Sequence, residues 1–182
     1  GTVKTHFTAG STDLSGIDTK KDGQLKFTGE AKGVLREPDA VKWLDDNRLV
    51  VANEGDYEGG SRGFTIFDKT GKVLFESGSS FERAVAALGH YPESRSSSKG
   101  LEPEGLEAAK FGTDNLFFLL AERASVVGVY KDTGADPELL QILPSGISPE
   151  GAIAIPQRNL LATANELDLG KDGGARSHVM IY

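Results

Sequence analysis

The chain has no cysteine, one methionine and one tryptophan. Without thiols there is no disulfide framework, no thiolate nucleophile and no cysteine-held zinc, and the redox compartment is left open. Histidine is almost as scarce: His6, His90 and His178 lie far apart. No H-x-x-x-H pair and no G-x-S-x-G elbow is present, which argues against a histidine zinc site and against a Ser-His-Asp triad. No apolar run approaches the roughly 20 residues that cross a bilayer, and "GTVKTHF" is unlike a signal peptide. Positive charge is also short, 20 Lys and Arg against 27 Asp and Glu, for a formal net charge of -7. No basic stripe exists to displace counterions from phosphates, so nucleic acid is excluded as a general partner and cations are the expected small ligands.

What is plentiful is glycine, 23 residues, between short runs of Val, Ile, Thr and Phe. Many short strands joined by turns is the pattern this predicts. Alignment on proline brings three units into register: "EPDAVKWLDDNRLVVANEG" from Glu37, "EPEGLEAAKFGTDNLFFLLAERA" from Glu102, and "SPEGAIAIPQRNLLATANEL" from Ser148. Each reads as acid, short strand, turn, apolar strand, acid. Third strands follow from Gly63, Ser125 and Ser177, and fourth strands from Lys72 and Glu138.

Four antiparallel strands recurring at intervals of about 40 to 50 residues predict β-propeller blades. A β-sandwich is the competing all-β reading, although sandwiches do not normally restart on one tripeptide. The expected fold is therefore an all-β propeller segment of about three four-stranded blades, forming one unit over 1–182. The blades fall at 37–78 and 101–145, with an incomplete one at 147–182. The insertion at 79–100 predicts a helix from "SSFERAVAALGHY", with a Ser79–Glu82 capping box and Gly89 as its stop, then a mobile Ser-rich loop. Three blades cannot close a ring, so the chain reads as a fragment of a larger propeller, completed by further blades of a longer chain or by another polypeptide. An N-terminal strand such as "VKTHFTA" is a candidate to complete the last blade.

In such a fold the first strand of each blade lines the channel, and the end of the second lies beside its start. Asp39, Glu104 and Glu150 enter first strands; Glu54, Glu122 and Glu166 leave second strands. Two rings of acids would gather at one mouth, where oxygen-only ligands suit a hard divalent cation, chiefly calcium. The competing reading is that each glutamate locks the repeat by accepting backbone N–H bonds. "DTKKDGQL" imitates a calcium loop but places Lys20 third and Gly29 twelfth, so a solvated turn is expected there. Arg95 and Lys99 precede Glu102 and Glu104, and an anion held by the two cations beside an acid-held metal would suit a phosphate monoester.

"LSGIDTKKDGQLKF", "REPDAV", "LVVANEGDYEG", "SSFERAVAAL", "SRSSSKGLEPEGL" and "SPEGAIAI…LLATANE", in that order, resemble the choice-of-anchor I family of bacterial secreted or surface β-propellers. Some of its members are labelled alkaline phosphatase-like, and the Pro-Glu-Gly blades are also similar to the esterase-like phytase family. The resemblance implies a propeller, export to the periplasm, cell surface or medium, and phosphoesterase activity. "LAERA" departs from the Ala-Asn-Glu of the other units, which puts Glu122 in doubt as a site residue.

Together these readings make an exported propeller whose acidic mouth binds a divalent metal through Glu54, Asp56, Glu104, Glu150 and Glu166. Arg95 and Lys99 would hold a phosphate ester for attack by metal-activated water, with no side chain assigned as a nucleophile. The rival is a non-catalytic surface or matrix module that binds a surface ligand and uses its glutamates structurally; fold alone does not choose between them.

Overall fold

A computed structural model describes residues 1–182. The chain is all-β with one α-helix and a few 3-10 turns. An N-terminal hairpin pairs β1 (Ser11–Ile17) with β2 (Gly29–Leu35). Three antiparallel sheets follow. The first is β3 (Pro38–Trp43), β4 (Arg48–Asn53), β5 (Phe64–Asp68) and β6 (Val73–Glu76) in that order. The second is β7 (Pro103–Phe111), β8 (Asp114–Ala121), β9 (Val126–Lys131) and β10 (Glu138–Pro144), and the third is β11 (Pro149–Ile155), β12 (Leu160–Asn165) and β13 (His178–Ile181). No helix is long and apolar enough to cross a membrane.

The alternation of side chains along a strand explains how the sheets stack. Val50 and Ala52 of β4 face the second sheet, where they join Phe117, Leu119 and Ala121 of β8 in the main core. Phe118 and Leu120, on the opposite face of β8, pack with Leu161 of β12. Strands buried on both faces must read as continuous apolar runs, as "NLFFLLA" does. A ring cluster cements the first junction: Phe64 meets Phe117 and Tyr130 edge-on, with centroids 5.2 and 4.9 Å apart. Arg48 adds a bidentate pair to the buried Asp132 of the second sheet, at 2.9 and 2.7 Å.

Helix α1 (Ser80–Ala87) fills the outer wedge at this junction with Phe81 and Val85. The expected capping box does not form: the Ser79 hydroxyl donates to the Ser15 carbonyl instead, at 2.8 Å, and Glu82 is buried. Nor is the Ser-rich segment loose. Ser96 is fully buried, and Arg62 donates to the carbonyls of Asp18, Ser96 and Ser98 at 2.9–3.0 Å. Asp18, expected in a solvated turn, is buried too, and accepts the Ser96 hydroxyl at 3.0 Å. One buried arginine thus ties the hairpin, the first sheet and the inserted loop together. The N-terminal segment forms no strand; Phe7 and Ala9 lie on the outer face of the first sheet, with Phe7 5.5 Å from Phe67.

Glu82 lies 3.7 Å from Arg62, and burial pushes its carboxyl up to about 7 against the pull of that guanidinium. Removing Arg62 would strand three carbonyls and leave Glu82 without its cation. Arg62→Met is expected to lower unfolding free energy by about 3–5 kcal/mol, the usual cost of breaking a buried charged network. Urea denaturation checks this; a loss within the scatter of surface substitutions would show that the network is not holding the insertion.

Candidate functional site

Each Pro-acid step sits on the same backbone device. The residue before the proline has a positive φ: 45° at Glu37, 50° at Glu102 and 55° at Ser148. Left-handed backbone is unfavourable for a side chain other than glycine, and is held only where the surroundings fix it. What fixes it here is a bond made three times. The amide of Glu54 donates to the Glu37 carbonyl at 3.2 Å, that of Glu122 to Glu102 at 3.1 Å, and that of Glu166 to Ser148 at 3.0 Å.

Immediately after, the ladder skips one residue. Pairing runs Pro38 to Asn53 and then Ala40 to Ala52, Pro103 to Ala121 and then Gly105 to Leu120, Pro149 to Asn165 and then Gly151 to Ala164. The unpaired residues are Asp39, Glu104 and Glu150. A bulge re-aims the side chain it carries, so each acid turns out of the sheet towards the glutamate that ends the neighbouring strand. Gly105 then lets two sheets meet, because a Cβ there would overlap the backbone carbonyl of Glu150.

The acids converge across sheets. Carboxylate oxygens of Glu104, Glu122 and Glu150 all lie within 4.8 Å of one another. Burial, a proton shared with Glu122, and the charges of Glu122, Glu150 and Glu54 push Glu104 up to about 8. Glu150 is raised by burial, then by Glu166, Glu122 and Asp39. Glu54 is raised by burial and by Asp39, Asp56 and Glu122, partly offset by Lys99. Oε2 of Glu104 is buried, and no amide, hydroxyl or cationic group of the protein meets it. Beside the cluster, Glu150, Asn165, Glu166 and His178 line an open cleft of ≈ 590 Å³.

Of the acids expected as ligands, Glu104 and Glu150 meet in this cluster, while Glu54 and Glu166 stand at its border. Asp56 is exposed and forms an ion pair with Lys99 at 3.3 Å. The third member of the cluster is Glu122, which the departure "LAERA" had put in doubt. Its place was legible in one signal only, the spacing from Asn115 that matches Asn47 to Glu54 and Asn159 to Glu166. Arg95 does not reach for an anion: it pairs with the fully buried Glu102, which Arg123 also contacts while bonding Glu122. Both basic residues expected to hold a phosphate are therefore already bound to carboxylates.

Native Glu104 keeps its proton up to about pH 8, while the unfolded chain releases it near 4.5. The folded state binds the extra proton in that window, so stability falls as pH rises from about 4.5 to about 8. Glu104→Gln is expected to flatten this fall, giving a higher Tm than wild type at pH 8 to 9 in the presence of a chelator and little difference below pH 4.5. Thermal unfolding across pH measures it; parallel curves for the two proteins would mean that the acids do not crowd one another.

Residues 57–135 match the family model of the choice-of-anchor I domain, a stretch that contains Glu104 and Glu122 but ends before Glu150. No curated protein matches the chain. No solved structure matches it either. The family match supplies a domain type for the middle of the chain and not an activity.

Proposed function

We propose that the three sheets are successive blades of a β-propeller from a secreted or surface protein, and that its acidic mouth binds a hard divalent cation. The single observation that carries the cation is the meeting of Glu104, Glu122 and Glu150 from two sheets, with the buried Oε2 of Glu104 lacking any protein donor. Three carboxylates this close repel unless protons or a cation balance them. The donor set is oxygen only, which fits calcium, with manganese as a useful substitute. Face-to-face stacking of like sheets, each starting on the same bulge, supports the propeller. The surface or secreted setting rests on the match of residues 57–135.

Of the two functions weighed from the sequence, binding is favoured over phosphate ester hydrolysis, because Arg95 and Lys99 are engaged with Glu102 and Asp56. When bound, the cation would screen the carboxylates and present open coordination positions to a ligand. Glu104 and Glu150 would hold it from bulges, and Glu122 would be oriented by Arg123.

Titration calorimetry with calcium and with manganese after chelation tests the site. Wild type is expected to take up one cation near the cluster, with Glu104→Gln and Glu150→Gln each weakening it by about tenfold or more, at least the loss typical of disturbing even an outer-shell partner. Unchanged uptake in both variants would remove the assignment. Phosphate monoester supplied in the same experiment is expected to give no turnover with either metal; metal-dependent turnover would reinstate hydrolysis.

A further inference from the structure

Two departures from the repeat meet at one place. After the closing glutamate the first and third sheets have Gly55 and Leu167, whereas the second has Arg123. The second and third sheets are joined by residues 145–148 alone, whereas the insertion with α1 and the Ser-rich loop lies between the first and second. Both converge on Glu102, the residue before the second proline. It is fully buried, and its two carboxylate oxygens accept separately from Arg95 of the inserted loop and from Nε of Arg123. Arg123 reaches on with Nη1 to Glu122, a buried member of the acid cluster. A continuous line of charge-assisted bonds thus runs from the insertion to the cluster, through Arg95, Glu102, Arg123 and Glu122.

The other two sheets have no such line. Glu37, the counterpart of Glu102, takes the amides of Tyr57 and Glu58, and Ser148 has no carboxylate to offer. Of the three closing glutamates, only Glu122 forms an ion pair. Both ends of the line are fixed by backbone. The Arg95 carbonyl accepts the amides of Ser98 and Gly100 at 2.9 and 3.1 Å, and Arg62 gathers the carbonyls of Ser96 and Ser98 around it. At the far end the Arg123 amide donates to the Leu101 carbonyl at 3.2 Å, and the 3-10 turn Glu122–Ala124 carries the guanidinium beside Glu102. Two carboxylates and two guanidiniums cancel, so what the line supplies to the cluster is geometry. Without Arg95, Arg123 alone would answer the buried charge of Glu102, and its hold on Glu122 would slacken.

We propose that Arg95 and Glu102 are positioning residues of the cation site, fixing Glu122 through Arg123, so that order in the inserted loop and cation uptake are coupled. The proposal rests on the cation reading above. Outer-shell groups that orient a metal ligand typically carry about tenfold or more of the affinity. The sign of the effect separates positioning from electrostatics: by Coulomb's law alone, deleting a positive charge near the acids tightens a bound dication. Positioning predicts the reverse. Coupling is also reciprocal, so the cation must steady the loop in return.

Calcium titration calorimetry on the 182-residue chain reads the first half of this. Arg95→Gln and Glu102→Gln are each expected to weaken uptake by about tenfold or more. In the Glu102→Gln background Arg95→Gln is expected to add little, because it acts only through Glu102. Lys99→Gln removes the same charge from the same loop but off the line, since Lys99 pairs with Asp56, and is expected not to weaken uptake. The side chains of Arg95 and Arg123 are 34% and 41% exposed, so no variant strands a buried arginine and circular dichroism should be unchanged. Hydrogen exchange on wild type reads the second half: saturating calcium is expected to slow the amides of Ser96, Ser98 and Gly100. Tighter or unchanged uptake by Arg95→Gln overturns the proposal, as does equal weakening by Lys99→Gln, or loop amides indifferent to calcium that has been taken up. Wild type without uptake removes the cation site and this coupling with it, whereas uptake indifferent to Arg95 and Glu102 removes only the coupling.

Discussion

The bond from the amide of Glu54, Glu122 or Glu166 to the carbonyl before the proline is the constraint on which the rest depends. It holds a non-glycine residue in left-handed backbone, which costs of the order of 1–3 kcal/mol if nothing compensates. It also extends each ladder by one step past the bulge, and so decides where two acids lie. The glutamate that donates its amide and the acid that follows the proline cannot be far apart. Proline suits the step because its position needs no ladder donor and its φ is fixed. Glycine or alanine next in line lets the following sheet approach. The tripeptide is thus a backbone device first, and the acids inherit their placement from it.

This device concentrates like charge at a site that runs from the buried Glu122 through the half-buried Glu104 to the exposed Glu150. Elsewhere three of the four buried carboxylates meet arginine: Asp132 has Arg48, Glu102 has Arg95 and Arg123, and Glu82 has Arg62, while the fourth, Asp18, accepts the Ser96 hydroxyl. At the Glu104 cluster, only Arg123 on Glu122 and Lys99 near Glu54 offset the acids, and Glu104 and Glu150 are left to repel or to share protons. A purely structural glutamate would be expected to receive backbone N–H groups, as Glu37 does from Tyr57 and Glu58 at 2.8 and 2.7 Å. Glu104 receives none. That contrast within one molecule is the support for the proposed cation site.

The repeat made most of the strands legible, because proline, asparagine and the closing glutamate mark the same points of three sheets. The hairpin of β1 and β2 was not: "GEAKGVL" is polar and mostly exposed, and no counterpart recurs. Asp18 looked solvated because its partner Ser96 is 78 residues away. Separations of 34 and 36 residues hid the ordering of the inserted loop, whose composition is that of a mobile segment but whose carbonyls are gathered by Arg62. At the site, spacing placed Glu104 and Glu150 but undervalued Glu122, since a local motif was broken while the strand geometry was kept. Proximity in sequence suggested that Arg95 and Lys99 were free for an anion; only the fold shows which carboxylates they serve.

The central claim is that two bulge-directed carboxylates and one strand-end carboxylate, from neighbouring sheets, hold one hard cation. Anomalous scattering from crystals soaked in manganese tests it directly. The account predicts a single strong peak bounded by Glu104, Glu122 and Glu150. Carboxylates bonded only to one another and to water, with manganese elsewhere or absent, would contradict it.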